Sequence, residues 1–448
     1  MLKGLLPVLT IGAAMAQVQP ALKERITVLP LSLRRAVEIA LAPEGNARVQ
    51  LAEESIKQSQ ARAGQARAAL LPNFDGSLSK SNQTRNLRAF GIDFPTIPGF
   101  VFPTATPPFN VFDIRVNGSQ NVFDFPSIRR FQAARTTVES VKSDAQGTRN
   151  QISYVVARLY LSALRADAAL ETAKSNIELS ETLLGLANSQ KAAGTGTGIE
   201  VTRAQVQLAN DRQRLLVAQN DRESTHLQLL KTLGLKLDGE VELTDRLALK
   251  PVEQVNVEQA VKTALDSRPE LKAQQQRESA AKLSYSGTKW ERLPSLAFYG
   301  DYGSIGNNPD NAIPTYTYGV SLRLPLFDGG RRDARRAESQ SQLRQEEIRT
   351  RDLRDQIELD IRTALDALRS AEAQVTAARE GLDLAERELE QARRRYQAGV
   401  ANSVEVTDAQ NRLQRARDNQ IAALFNHNLG RIDLNNAMGT IQQLVENY

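Results

Sequence analysis

The chain has no cysteine, two histidines (His226 and His427), three methionines and one tryptophan, Trp290. A structural zinc site takes about four Cys or His ligands, so two histidines without cysteine cannot supply one, and thiol and disulfide chemistry are excluded. Aromatic residues make up 5% of the sequence. No apolar run reaches the ~18 residues that a membrane-spanning helix requires. No constellation of nucleophile, base and acid stands out, so the reading is of a protein that is not an enzyme and needs no cofactor. What is present is 448 residues, 24% of them charged, with 57 basic and 52 acidic side chains giving +5. The basic runs Arg331-Arg332, Arg335-Arg336 and Arg393-Arg394-Arg395 are interleaved with acidic residues. They read as solvated helix faces, not as a nucleic-acid surface.

Residues 1–16 have the form of an export signal: Lys3 gives a positive start, Leu5 to Ala14 is mostly apolar, and Ala14-Met15-Ala16 has the small-x-small pattern before cleavage. The mature chain is expected to begin near Gln17. No Cys near that point could receive a lipid.

Beyond this leader the sequence contains itself twice. Residues Ala193 to Leu208 align with Ala398 to Leu413 at an offset of 205, and eight of the sixteen positions are identical. The same register carries Gln151-Ile152 onto Gln356-Ile357 and Gly234 onto Gly439. The histidines do not align with each other and read as helix-surface or packing residues. The first copy spans 17–234, a connector 235–257, the second copy 258–439 and a tail 440–448. Each copy reads helix, strand, loop, strand, long helix, tight turn, helix. The first copy has the longer loop, a Pro- and Phe-rich stretch from about Arg85 to Asn110.

The long helix of the second copy carries an unbroken three-four alternation: Ile361, Ala364, Leu368, Ala371, Val375, Ala378, Leu382, Ala385, Leu389, Ala392 and Tyr396. This is a coiled-coil seam in which alternate positions are Ala, allowing close approach of a partner helix. The first copy keeps the register through Val156, Leu159, Ala163, Ala166, Leu170, Ala173, Ile177, Ser180, Leu184 and Ala187. From about Arg331 to Ala398 the helix spans ~100 Å at ~1.5 Å per residue. The shorter helices, about Leu33 to Leu70 and Ile199 to Leu233, add end to end to a similar length.

Gly194-Thr195-Gly196-Thr197-Gly198 lacks the Lys-Ser/Thr of a phosphate loop. It reads as a hairpin tip, with glycine ending one helix and Thr197 capping the next together with Glu200. Gly399, Asn402, Ser403 and Glu405 repeat that design in the second copy.

Period-two alternation marks four strands of about ten residues, near 73–83, 112–123, 295–303 and 315–326. Tyr316, Tyr318, Val320, Leu322, Leu324 and Leu326 share one face, against Thr315, Thr317, Gly319, Ser321 and Arg323 on the other. The helices already direct their apolar seams at one another, which leaves the apolar strand faces for lipid. Ten residues suit a tilted membrane strand, but bacterial barrels start at about eight strands, so four cannot close alone. Two copies give eight strands and three give twelve, and only the larger barrel leaves an aqueous lumen. Trp290, at a helix-to-strand junction, suits a membrane–water belt.

The doubled plan, the Leu-Pro pairs before strands, Pro325-Leu326-Phe327-Asp328-Gly329-Gly330, and Tyr396-Gln397-Ala398-Gly399 followed by Val406-Thr407-Asp408-Ala409-Gln410 resemble the TolC-like outer-membrane efflux family. The resemblance covers about Leu33 to Gly439. It implies an α+β membrane protein: a homotrimer with a twelve-stranded β-barrel in outer-membrane lipid, four strands per chain, and a long coiled-coil helical barrel across the periplasm. It implies a channel that serves as exit duct of a tripartite efflux or type I secretion system. The hairpin tips, here Gly194, Gly196, Gly198, Gly399, Asn402 and Ser403, would meet a periplasmic adaptor that links the duct to an inner-membrane pump. In the family the periplasmic end is narrowed by polar and acidic side chains, and Tyr396, Glu405 and Asp408 match those positions, with Glu200 as the first-copy equivalent. Ala401 stands where well-known members carry a bridging Arg. The repeat itself places Arg203 opposite Asp408, so Arg203–Asp408 attraction between neighbouring hairpins is a candidate closing contact. Each chain then contributes three acids and one base, and three chains give a ring of −6 that favours cations. The heptads taken alone would also suit a soluble periplasmic coiled-coil structural or adaptor protein.

Overall fold

A computed structural model describes residues 29–43, 45–91, 99, 104–250 and 256–448. The leader lies outside the described residues, as do parts of the Pro- and Phe-rich loop and of the connector.

The first copy runs β1 (Leu29–Leu31), α1 (Leu33–Leu41), α2 (Ala47–Ala68), β2 (Asn73–Gln83), β3 (Phe109–Phe123), α3 (Phe125–Ala192) and α4 (Gly198–Leu233). After β4 (Val241–Leu243) the second runs α5 (Val257–Ser267), α6 (Pro269–Lys289), β5 (Ser295–Gly306), β6 (Ile313–Arg323), α7 (Arg331–Gln397) and α8 (Ser403–Ala437), closing with α9 (Ile441–Glu446).

The segment Leu33 to Leu70, whose spacing predicts one helix, is two. Pro43 forces the preceding residue out of the helical region, and Ala42 is extended at φ −59°, ψ 149°. Asn46 then starts α2 afresh, its Oδ1 accepting from Arg48 N at 2.8 Å. The second copy breaks the same way before Pro269, where Arg268 is extended at φ −70°, ψ 117°.

The two long helices have 68 and 67 residues. Along α7 the residues Ile361, Ala364, Leu368, Ala371, Val375, Ala385, Leu389, Ala392 and Tyr396 are buried. They pack on α8 and, nearer the sheet, on α6, while α3 packs on α2, α6, α4 and α8. Burying each large seam residue contributes roughly 1.5–3 kcal/mol, so the seam rather than helix propensity holds these elements together.

Midway along the helices, β1 pairs in parallel with β4, a contact too short to be seen in the sequence. It covers a core of Leu31, Leu33, Tyr160, Leu161, Leu229 and Ile432. Asp245 fixes that junction, accepting from Leu33 N at 2.9 Å and from the Tyr160 hydroxyl at 2.6 Å. Burial first, and then the carboxylate so placed, raise the Tyr160 phenol above its ordinary range.

The other four strands form one antiparallel sheet in the order β2-β3-β5-β6. Their register sets Phe74, Leu78, Ile114, Val116, Phe298, Tyr302, Tyr316, Tyr318, Val320 and Leu322 on one face. Among the described residues nothing covers this face: Phe74 is 74% exposed, Tyr318 71% and Leu322 68%. The apolar alternation overruns β6, because Pro325 has no N–H for a ladder; Leu324 and Leu326 therefore lie beyond the strand, in the passage to α7. Among the described residues no helix is long and apolar enough to cross a membrane.

Candidate functional site

At the end of the molecule away from the sheet, two helical hairpins turn over. Gly194 and Gly399 both sit in left-handed backbone, φ +77° and +73°, where a side chain is strained. At the other ends of α4 and α8, Gly234 and Gly439, which the repeat relates to each other, do likewise at +73° and +76°. Gly196 is different: a Cβ there would lie 3.0 Å from Gln190 Cβ, so it allows close packing. Thr197 and Glu200 form a capping box, with Thr197 N donating to Glu200 Oε2 at 2.8 Å. In the second hairpin Asn402 Oδ1 accepts from Val404 N at 3.1 Å and Glu405 N at 3.2 Å.

The hairpins touch where Gln190 Nε2 donates to the Tyr396 carbonyl at 3.0 Å. Tyr396 is buried at this contact, and together with Glu200, Ser403 and Gln410 it lines a small cavity between the hairpins. Its hydroxyl and that of Ser403 are buried without a partner among the described residues. Burial first, and the nearby Glu200 second, raise the Tyr396 phenol, so it is a neutral donor at the hairpin junction.

The structure gives the acidic residues cations that spacing did not reveal. Glu405 Oε1 is 2.9 Å from Arg395 Nε. Arg412 bridges Asp408 Oδ2 at 3.2 Å and Glu388 Oε1 at 2.8 Å. Arg203 is exposed and, among the described residues, has no ion-pair partner in its own chain. Glu200, Glu405, Asp408 and Tyr396 thus lie at the tip, with Arg203 one turn along α4 and free for a neighbour. Arg395 and Arg412 thus stand against two of the acids that the expected ring charge of −6 counts without cations.

About two turns further from the tip, a polar knot replaces the apolar seam. Ser180 stands where the second copy has Ala385. Its hydroxyl donates to Asp211 Oδ2 at 2.5 Å and accepts from Gln410 Nε2 at 2.6 Å. Gln207 and Arg214 also reach Asp211, and Arg214 bonds Gln414. Asp211 is 1% exposed, so this knot ties α3, α4 and α8 by satisfied polar groups. A serine at a seam position aligned with alanine was the one signal for it. Among the described residues no group of three or more acidic or histidine side chains could hold a metal ion.

The profile of the outer membrane efflux protein family matches residues 39–235 and 260–440. The pyoverdine export outer membrane protein OpmQ of Pseudomonas putida is 25% identical over 392 residues, covering 86% of this chain and 81% of that protein. The outer membrane protein TolC of Vibrio cholerae is 24% identical over 344 residues, covering 73% of this chain and 76% of that one. Among solved structures, the Campylobacter jejuni CmeC outer membrane channel superposes with a TM-score of 0.78 at 18% identity, covering 91% and 85% of the two chains. VceC of Vibrio cholerae gives 0.75 at 19% identity, covering 91% and 96%. With the doubled helix–strand plan, the uncovered sheet and these likenesses together, the chain belongs to the outer membrane efflux protein family.

Proposed function

We propose that the protein is the outer-membrane channel and exit duct of a tripartite efflux or type I secretion system, passively conducting solutes across the periplasm and outer membrane. The observation that carries this is the four-stranded sheet. Among the described residues one face is apolar and uncovered, and its outer strands β2 and β6 each leave one edge without a partner. In lipid an unpaired edge is untenable, so the edges must be joined by other copies, and three copies give about twelve strands around an aqueous lumen. A soluble coiled-coil protein has no use for such a face.

The periplasmic end is narrowed by Tyr396, Glu200, Glu405, Asp408 and Arg203, and the tips Gly194, Gly196, Gly198, Gly399, Asn402 and Ser403 receive a periplasmic adaptor that couples the duct to an inner-membrane pump. Arg203, unpaired at home, attracts Asp408 of the neighbouring hairpin. Being solvated, each such contact contributes about 1 kcal/mol or less, which keeps closure reversible on adaptor docking. Planar-bilayer recording of the purified protein tests the reading. It should form channels of low mean conductance that rise in Arg203→Glu; channels with unchanged conductance in that variant contradict the closing contact, and absence of any channel contradicts the duct.

A further inference from the structure

The polar face of the sheet carries few charges, and they are not spread evenly. By register, one row crosses all four strands as Asp75, Asn117, Asp301 and Thr317. The next row is Ser77, Arg115, Gly303 and Thr315, and the one after it begins Ser79, Asp113. Over the whole face the acids are Asp75, Asp113 and Asp301, and the bases are Arg115 and Arg323, with Arg323 at the very end of β6.

Arg115 does not project freely. Its Nε is 2.9 Å from Asp113 Oδ1 on its own strand, and its Nη1 is 2.7 Å from Asp301 Oδ2 on the next. The three side chains are only 24%, 25% and 18% exposed, although the face has no cover. The position opposite Arg115 explains how the guanidinium lies down. It is Gly303, where a Cβ would fall 2.2 Å from Arg115 Cβ. Removing that side chain lets the arginine cross the ladder flat against the wall. Asp75, two strands from Asp301 in the same row, is exposed and, among the described residues, has no ion-pair partner in its own chain.

We infer that Arg115 is the charge-setting residue of the barrel lumen: pinned over Gly303 by Asp113 and Asp301, it cancels one of their two charges and holds that cluster at −1, while Asp75 stands as the exposed, unpaired anion that draws cationic solutes through the barrel. This rests on the duct reading, in which the polar face lines the lumen. Per chain, the face carries three acids and two bases. Replacing Arg115 by Gln takes it from −1 to −2, and three copies multiply that change.

The test is the reversal potential of single channels across a KCl gradient at low ionic strength, where the screening length is about 10 Å or more. It is made in a Glu200→Gln, Glu405→Gln, Asp408→Asn background, so that the periplasmic end adds no carboxylate of its own. Arg115→Gln should raise the cation-to-anion permeability ratio roughly twofold, and Asp75→Asn should lower it by a similar factor. Lys80 lies on the same strand pair but on the apolar face, opposite Phe112, so Lys80→Gln should leave the ratio unchanged. A ratio unmoved by Arg115→Gln, or moved equally by Lys80→Gln, overturns the inference. Either result needs channels to be present, so it is distinct from failure of the duct reading, which is the absence of channels.

Discussion

Nε2 of His226 on α4 lies 3.1 Å from Oδ1 of Asp167 on α3. Arg222 Nε reaches the same oxygen at 2.7 Å, so one carboxylate holds two cation-capable side chains a helical turn apart. The repeat moves Asp167 onto Glu372, Arg222 onto His427 and His226 onto Arg431, so histidine and arginine have exchanged places between the copies. In the second copy the triad is not assembled. Glu372 is exposed, His427 is fully buried with both ring nitrogens unpartnered among the described residues, and one Arg431 terminal nitrogen is buried likewise.

The two sites respond to acid in different windows. Burial, then Arg431, lowers the His427 imidazole below its ordinary 6.5, against an opposing pull from Glu372. A histidine kept neutral in the fold but free to charge when unfolded stabilises the protein above about pH 6.5, and that contribution is lost as pH falls. For Asp167 burial raises the carboxyl, but His226 and Arg222 outweigh it and the net shift is downward. Its contribution is present above its ordinary 3.8 and is lost only in stronger acid. Thermal unfolding in detergent should show the midpoint falling between about pH 7 and 5 in the wild type, and falling less in His427→Gln. Asp167→Asn should lower the midpoint throughout that interval without changing its slope.

The seam and the polar knot give opposite expectations for substitutions at related positions. Ala385 is 7% exposed beneath α8, and Ala385→Leu should cost about 1–3 kcal/mol through overpacking. Ser180→Ala removes little volume but leaves Asp211 and Gln410 short of a partner, which should cost about 1–3 kcal/mol. Adding Asp211→Ala to Ser180→Ala should cost less than the sum of the two single changes. Denaturant unfolding of the four proteins measures this, and strict additivity would contradict the knot.

At the tips, Asn402→Ala removes the side-chain acceptor for two amides and should destabilise the start of α8 by about 0.5–2 kcal/mol. Gly399→Ala forces an alanine into left-handed backbone, costing about 1–2 kcal/mol. Hydrogen exchange should accelerate within the first turns of α8 in both variants, while amides of the sheet keep their protection.

Arg395 and Arg412 are exposed partners of Glu405 and Asp408, so their removal should scarcely move the unfolding midpoint, by about 0–1 kcal/mol. The channel should change instead. Arg395→Gln with Arg412→Gln uncovers both carboxylates, and single-channel recording should show stronger cation preference at low salt.

The fold was legible because its two periods are long and clean. Alternation through Ile313–Arg323 commits one segment to a strand with a single apolar face, and a three-four seam from Ile361 to Tyr396 commits another to a helix with a single buried face. The break at Pro43 was harder to see, since apolar residues continue in helical spacing across it; only the steric effect on Ala42 decides it. Pairing of β1 with β4 was invisible, because three residues carry no period. At the tip, glycine and capping residues marked the turns. The cations Arg395 and Arg412 were lost in an arginine-rich background, where charge composition does not say which side chain reaches which. Arg115 was missed for a related reason: its partner Asp301 is 186 residues away and becomes a neighbour only through strand register.

The central claim is that one chain brings too few strands to seal a cylinder in lipid. The mass of the detergent-solubilised protein, by light scattering or native mass spectrometry, tests it most directly. Three chains per particle, dependent on detergent, are expected. A monodisperse single chain that stays in solution without detergent would contradict it.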